Sequence, residues 1–289
     1  MSDFILITDS TADMPDSFYA QHQIPVLSLT YTMRGRTYTQ TDSLPMKEFY
    51  DQLRQGEMPV TSQVNPEAAL TGFRKAAQQN KDILCLCFSS ALSGTYNSCR
   101  IAAEMLKEEG FARKIIVIDS LCASIGMGLL LHKVCEMKQK GASLEETADW
   151  IEAHKLNVCH IFTVDDLNHL YRGGRVSKTT AIVGTMINIK PILHVDKAGT
   201  LQVIGKVHGR TKSLKTLVDL MEEKMGSWKD KNDIFMICQG DVQSEAQQVA
   251  QMVKERFGIS QSLISYTGPV IGSHTGAGVI GLFFMGDER

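Results

Sequence analysis

The sequence lacks an excess of charge of either sign. Its 289 residues contain 30 Lys and Arg against 32 Asp and Glu, which leaves a formal net charge of -2. This balance provides no electrostatic attraction toward a phosphate backbone or an anionic membrane surface. We therefore expect no nucleic-acid partner and at most transient contact with a membrane.

Metal-binding cysteine pairs and long apolar runs are missing as well. The seven cysteines are an odd number, and none forms the C-x-x-C pairs of zinc sites. The N-terminal apolar run, Phe4–Thr8, ends far short of a signal peptide or a membrane span, and no basic segment precedes it. We expect a cytoplasmic protein with reduced thiols and no bound metal.

Two glycine-containing segments resemble nucleotide-binding loops without completing them. Gly276-x-Gly278-x-x-Gly281 satisfies the dinucleotide pattern, but the eight residues after it are too few for the rest of a βαβ unit. Gly199–Val207 resembles a phosphate-binding loop, but it has one residue too many between its glycines and a valine where Ser or Thr must hold magnesium. No nucleotide cofactor is expected, so any kinase chemistry must come from a partner.

The first half of the chain alternates between strand-like and helical segments. Short apolar runs predict buried strands at Phe4–Thr8, Ile83–Phe88 and Ile115–Ile118. Helical segments follow at Pro66–Gln79, Tyr96–Glu109, Met127–Lys140 and Ser143–His154. This alternation predicts a parallel α/β sheet.

The pattern changes near residue 158. The later elements are predicted as a strand, a helix, a hairpin, a second helix and a final strand, at Val158–Val164, Asp165–Leu170, Ile192–Val207, Ser213–Lys224 and Ile234–Cys238. We therefore predict two α/β domains with the ligand between them. Residues 1–157 form a three-layer domain with a mainly parallel sheet, and residues 158–289 form a domain with a mixed or antiparallel sheet.

Several segments combine polar side chains with a predicted strand end or helix start. Ser89–Thr95 lies between a strand and a helix, where hydroxyls and free N–H groups favour an anion such as a carboxylate. Thr61-Ser62-Gln63 likewise precedes a helix. Helix capping is the simpler explanation for each segment by itself. We also assign capping to the strand-end acids Asp9 and Asp119, because no metal-binding cluster accompanies them.

His274 and two arginines stand beside glycines. His274 belongs to a stretch with four glycines in eleven residues, which indicates unusual turns or a close approach to the backbone. We place it on a loop, where ligand contact and a structural role are equally compatible with the sequence. Arg172 and Arg175 flank Gly173-Gly174 and, considered alone, are interpreted as surface salt-bridge partners.

Five motifs taken together resemble the DegV family over essentially the whole chain. They follow the order and spacing of that family, at Ile7–Asp13, Thr61–Gln63, Leu92–Tyr96, Arg172–Arg175 and Gly272–Gly276. The resemblance implies a non-catalytic, fatty-acid-binding subunit of a bacterial fatty acid kinase. Such a subunit holds a long-chain fatty acid such as palmitate, needs no cofactor, and presents the carboxylate to a separate ATP-dependent kinase. The resulting acyl phosphate feeds phospholipid synthesis.

The resemblance also implies roles for individual residues. It assigns the fatty-acid carboxylate first to Thr61 or Ser62, Ser93 and His274, and secondarily to Gly94, Thr95 and Thr275. Arg172 would serve phosphoryl transfer or kinase docking. Val64 and Ala277 stand where the family often has proline. We expect the tail inside the second domain and the carboxylate near the strand ends of the first.

Two other functions are compatible with the sequence. A serine hydrolase acting on acyl esters would use Ser93 as nucleophile and His274 as base. Ser93, however, lies in Leu-Ser-Gly instead of a Gly-x-Ser-x-Gly elbow, and no third residue is evident to orient the histidine. A dimerisation or scaffold protein would have a closed, empty interface between its domains.

Overall fold

A four-stranded parallel sheet organises the first half of the chain in the computed structural model, which describes residues 4–177 and 188–289. The strand order is β2-β1-β6-β7. These strands are β1 (Phe4–Asp9), β2 (Val26–Leu27), β6 (Asp82–Cys87) and β7 (Ile115–Asp119). Every residue of β1 is buried, because helices cover both faces of the sheet. The predicted parallel α/β domain is confirmed.

In the described residues of this half, six α-helices accompany the sheet. They are α1 (Asp16–His22), α2 (Met46–Arg54), α3 (Pro66–Ala77), α4 (Thr95–Glu108), α5 (Ile125–Gln139) and α6 (Leu144–His154). Side-chain capping sets the start of two of them, α3 and α6. The Asn65 side chain accepts a hydrogen bond from the backbone N–H of Ala68, with Pro66 in the first turn of α3. Ser143 and Glu146 form a reciprocal capping box at α6.

A small antiparallel sheet lies beside the parallel one, and no pattern in the sequence had predicted it. Its order is β4-β3-β5, with strands β3 (Thr30–Met33), β4 (Arg36–Tyr38) and β5 (Val60–Ser62). Arg34 and Gly35 both have positive φ, 51° and 76°, which suits the two-residue turn between β3 and β4. This sheet positions Thr61 and Ser62.

The second half of the chain forms a six-stranded mixed sheet in the order β10-β9-β8-β13-β11-β12. Its strands are β8 (Val158–Thr163), β9 (Ile189–Val195), β10 (Leu201–His208), β11 (Ile234–Gln239), β12 (Gln261–Tyr266) and β13 (Ile280–Met285). Among the described strands of this sheet, only the β11–β12 pair is parallel. The mixed sheet and the β9–β10 hairpin are therefore confirmed, whereas the domain boundary at residue 157 stays a prediction.

The described helices of this half correct two predictions. They are α7 (Asn168–Arg172), α8 (Arg210–Met225), α9 (Gln243–Phe257) and α10 (Pro269–Thr275). The α7 helix begins later than predicted, because the Asp166 carboxylate accepts from the Asn168 N–H and holds the preceding turn outside the helix. His274 lies on α10 and not on a loop. Pro269 begins that helix and Gly276, at φ 76°, ends it.

The α5 helix packs between the two sheets. Its apolar residues belong to one core that also contains Leu6 and Leu84 of the first sheet and Met236 and Phe283 of the second. Such a helix is buried nearly all round. Gly126 permits the close contact, since a Cβ there would lie 2.3 Å from Nε2 of His160. Among the described helices, none has the length and apolar character that crossing a membrane requires.

Candidate ligand-binding site

A cavity of about 190 Å³ lies between the two domains. Most of its wall is apolar and comes from both domains, including Leu29, Phe88, Leu92, Phe162, Leu170, Val195, Leu201, Ile271, Val279 and Phe283. Polar side chains interrupt this wall in two places. One group includes Thr61, Ser62, Ser93, Arg175, His274 and Thr275, and the other includes Ser124, Cys238 and Thr267.

Thr61 and His274 form the central pair of the first polar group. The Thr61 Oγ1 to His274 Nε2 distance is 2.8 Å. The other imidazole nitrogen, Nδ1, is buried without a hydrogen-bond partner in the described part of the chain. Gly173 packs against it, since a Cβ at residue 173 would lie 2.1 Å from Nδ1. The sequence therefore needs glycine there to accommodate the ring.

His274 is held in its neutral form. Burial lowers its pKa to about 4, and the positive charge of Arg175 and the neighbouring His169 act in the same direction. An uncharged imidazole at neutral pH can donate one hydrogen bond but provides no full positive charge. His274 is thus suited to orienting a neighbouring hydroxyl.

Strand-end carboxylates hold the loop that carries Ser93. Asp9 accepts from the Phe88 N–H at 2.8 Å, and Asp119 accepts from the Ser90 N–H at 3.1 Å. Burial raises the pKa of Asp9 to about 6, while its bond from Thr11 opposes that shift. The predicted structural role of these two acids is confirmed, and their effect is to fix the loop beside the cavity.

Ser93, Gly94 and Thr95 meet the segment after β5 at the start of α4. The Ser93 and Thr95 hydroxyls are 3.0 Å apart, and Ser93 Oγ accepts from the Thr95 N–H at 3.3 Å. Thr95 is fully buried, and its Oγ1 accepts from the Val64 N–H. A Cβ at Gly94 would lie 2.2 Å from Oε1 of Gln63. Thr95 and Gly94 thus hold the backbone together, and Ser93 and Gly94 face the cavity.

Arg175 occupies a different place from the one predicted. It lines the cavity and is partly buried instead of forming a surface salt bridge. Its Nε and Nη2 donate to the Leu92 carbonyl oxygen at 3.2 and 2.9 Å, and Nη1 donates to the Gly173 carbonyl oxygen. No carboxylate of the described residues pairs with this guanidinium. A cation left without a counter-ion at a cavity wall is suited to an anionic ligand.

The remaining predicted residues lie around this group. Ser62 and Thr275 line the cavity, and the Thr275 hydroxyl donates to the Ile271 carbonyl oxygen at 3.2 Å. Arg172, at the end of α7, is exposed and does not line the cavity.

Three thiols converge elsewhere, in the core between β6 and α4. The sulfurs of Cys85, Cys87 and Cys99 all lie within 4.8 Å of one another and are buried. Their spacing differs from C-x-x-C, and Cys99 comes from a separate element, so the cysteine pattern did not reveal the group. A soft metal ion prefers such donors.

Comparison with known proteins places this site in a family. The profile described as "Uncharacterised protein, DegV family" matches residues 3–287. A DegV domain-containing protein of Clostridium perfringens is 42% identical over 291 residues, which cover 100% of this chain and 99% of the relative. This chain belongs to the DegV family. The resemblance inferred from the motifs is confirmed.

Solved DegV structures have the same fold. DegV of Bacillus subtilis, described as a fatty acid binding protein, is similar with a TM-score of 0.86 and 27% identity, over 99% of this chain and 100% of that one. A DegV family protein of Thermus thermophilus, described by its fatty acid binding, has a TM-score of 0.83 and 27% identity, over 98% and 99%. The two-domain arrangement is thus common to this DegV chain and both relatives.

Proposed function

We propose that this DegV-family protein is a cytoplasmic carrier that binds one long-chain fatty acid, such as palmitate, in the cavity between its domains. The observation that carries the proposal is an apolar cavity whose wall groups uncharged donors with one guanidinium that no carboxylate of the described residues pairs with. The fatty-acid binding described for the Bacillus subtilis and Thermus thermophilus relatives supports the same ligand class.

The acyl chain and the carboxylate need different surroundings. Burial of about fourteen methylenes contributes at most about 11 kcal/mol, at roughly 0.8 kcal/mol each, before the ordering of the chain is subtracted. A carboxylate that left water without new partners would cancel much of that gain. The Thr61 and Ser93 hydroxyls and the Arg175 guanidinium are the donors that replace its water.

The neutral His274 orients the Thr61 hydroxyl. Nδ1 of His274 has no acceptor within the described residues, so we assign the ring proton to Nε2. Nε2–H then donates to Thr61 Oγ1, and the Thr61 hydroxyl proton remains available for the carboxylate. Arg175 supplies the positive charge that the imidazole lacks.

Ligand recovery and a matched pair of ligands test this proposal. Protein purified natively from bacteria should release a fatty acid detectable by mass spectrometry. Delipidated protein should bind palmitate at least roughly tenfold more tightly than hexadecanol, which has the same tail without the charge. Recovery of no lipid together with no uptake of palmitate would contradict fatty-acid binding. Equal affinities would contradict the carboxylate site.

Serine variants in one loop test the assignment more finely. S93A should weaken palmitate binding by roughly three- to tenfold, because it removes one hydrogen-bond donor. Ser90 is exposed and lies in the same loop, so S90A is the matched control and should bind as the wild type does. Equal affinities of the two variants would remove Ser93 from the site.

We further propose that the bound carboxylate is presented to a separate ATP-dependent kinase, which forms an acyl phosphate for phospholipid synthesis. Arg172 supports this step, because it is exposed and adjoins Gly173, which contacts the His274 ring. Acyl phosphate, trapped with hydroxylamine, should form only when loaded protein, kinase and ATP are combined. R172A should still bind palmitate, but acyl phosphate should not form with it. An equally productive R172A would exclude the role of Arg172.

The serine-hydrolase alternative receives less support from the geometry. A nucleophilic serine needs a hydrogen bond to its base. His274 instead pairs with Thr61, and Ser93 pairs with Thr95. Covalent labelling of Ser93 by a serine-directed probe would favour the hydrolase.

A further inference from the structure

The second polar group lies in the part of the cavity near the start of α10. Thr267, Ser124 and Cys238 all line this part, and both hydroxyl-bearing side chains lie close to the Cys238 sulfur. Thr267 precedes α10, whereas His274 is near its end. The six residue-to-residue steps from 268 to 274, at 1.5 Å each, separate the two ends by about 9 Å. The group is therefore distinct from the carboxylate donors.

The Thr267 hydroxyl is left without a partner of ordinary strength. It is fully buried, and Oγ1 forms no hydrogen bond with the described residues. The nearby thiol of Cys238 is only a weak donor or acceptor. Burying a hydroxyl unpaired is unfavourable, so the wall of an otherwise apolar cavity would be more stable with an apolar side chain here. The Thr267 hydroxyl therefore needs a polar partner from outside the described residues, and a bound ligand can provide it.

The Ser124 hydroxyl uses its proton in a hydrogen bond to Asp13, and its oxygen can still accept one. Its Oγ donates to Oδ2 of Asp13 at 2.5 Å, which leaves the oxygen lone pairs as acceptors. Its backbone has φ 50° and ψ -148°, a strained conformation for a residue other than glycine. Asp13 also accepts from the Gly268 N–H at 3.0 Å and so fixes both walls. The structure holds the Ser124 hydroxyl at the cavity at a conformational cost.

Neighbouring His160 does not satisfy Thr267 or Ser124. Its Nε2 accepts from the Ala123 N–H at 3.1 Å, and its Nδ1 lies 2.8 Å from the Val158 carbonyl oxygen, to which it donates. Both ring nitrogens are therefore occupied. Among the described residues that line this end, the Thr267 hydroxyl is the donor and the Ser124 hydroxyl oxygen is the acceptor that a ligand can use.

We propose that Ser124, Thr267 and Cys238 form a subsite for a hydroxyl group on the acyl chain, so that the preferred ligands include long-chain fatty acids hydroxylated at mid-chain. The ligand hydroxyl donates to Ser124 Oγ and accepts from Thr267 Oγ1. This inference rests on the proposed fatty-acid binding and adds the substrate class. An ordered water in the same place is the alternative that the experiment must separate.

The test uses delipidated full-length protein, stearate and three monohydroxystearates that differ only in the position of the hydroxyl. The hydroxyl lies near the carboxylate, at mid-chain or near the methyl end. Wild type should bind the mid-chain isomer roughly tenfold more tightly than the other two. T267V should remove that preference and bind plain stearate more tightly than wild type does. T147V, a buried change outside the cavity, is the matched control and should keep the preference.

The possible results separate the two proposals. Binding of stearate without any preference among the isomers, or a preference that survives in T267V, would overturn the subsite and leave fatty-acid binding intact. A subsite that holds only water would give the first of these results. Failure of every acid to bind wild type would overturn fatty-acid binding and the subsite together.

Discussion

Thr61 Oγ1 and His274 Nε2 lie 2.8 Å apart although 213 residues separate them in the sequence. Thr61 lies on the short strand β5 of the first half of the chain. His274 lies on the short helix α10, which connects β12 to β13, the last strand of the second sheet. Their contact closes one polar part of the cavity. It also makes the orientation of one side chain depend on the other.

Removal of either partner should therefore have a similar effect on ligand affinity. T61V and H274A are each expected to weaken palmitate binding by roughly tenfold, because the first removes the hydroxyl and the second removes the ring that orients it. The double variant should be little weaker than either single one. Affinities measured by competition with a fluorescent fatty acid give the coupling. Fully additive losses would show that the two residues act separately.

Arg175 should discriminate between a charged and a neutral ligand. R175Q is expected to weaken palmitate binding by roughly ten- to hundredfold, since it removes a charge-assisted hydrogen bond. Hexadecanol should be affected much less. R172Q, on the exposed side of the same motif, is the control for surface charge. Equal losses for both ligands would mean that Arg175 only supports the Leu92 carbonyl.

Gly173 should be intolerant of a single added methyl group. Its backbone φ of -73° suits alanine, but the new Cβ would lie 2.1 Å from His274 Nδ1. G173A is therefore expected to displace the ring and weaken palmitate binding by about tenfold or more. Gly174 has φ 73° and open space around it, so G174A should cost about 1 kcal/mol of stability and keep the affinity. Identical affinities of both variants would contradict the packing argument.

The His274 ring should report ligand binding through its titration. Its pKa of about 4 lies below the ordinary 6.5, so the folded protein keeps the ring neutral where the unfolded chain is protonated. The stability associated with this ring is present above about pH 6.5 and is lost as the pH falls toward 4. A bound carboxylate should raise this pKa. NMR titration with and without palmitate measures the shift, and an unchanged value would place the carboxylate elsewhere.

Asp13 should produce the opposite dependence on pH. Burial raises its pKa from 3.8 to about 7, so the folded protein retains a proton that the unfolded chain has released. Its contribution to the free energy of unfolding is fully present below about pH 4 and is lost as the pH rises through 7. The loss is of order a few kcal/mol. D13N should flatten this loss in thermal denaturation between pH 5 and 8. D149N, an exposed change, should follow wild type. Parallel curves for wild type and D13N would refute the assignment.

The sequence was most informative where local pattern and burial coincide. Runs such as Phe4–Asp9 are apolar because both faces of their sheet are covered, and the same burial defines the strand. The order of the motifs nominated Thr61, Ser93 and His274 together, and the fold brings all three to one cavity. Their contacts with a ligand remain predictions.

Arg175 shows what the sequence did not disclose. Its acceptors are backbone carbonyl oxygens, one of them on Leu92, 83 residues away, and carbonyls have no residue-specific signature. One local signal was available, because no acidic residue occurs from Tyr171 to Ser177 to pair with it. No pattern in the sequence indicated that the Thr267 hydroxyl would lack a hydrogen-bond partner among the described residues, because that depends on which elements surround it in the fold.

The placement of α5 between the two sheets bears on whether either half can be produced by itself. Division of the chain between residues 157 and 158 would leave this helix on the first fragment, without the second sheet that packs against one of its faces. The second fragment would expose the apolar sheet surface that includes Met236 and Phe283. We therefore expect that neither fragment folds into a stable monomer when it is produced without the other.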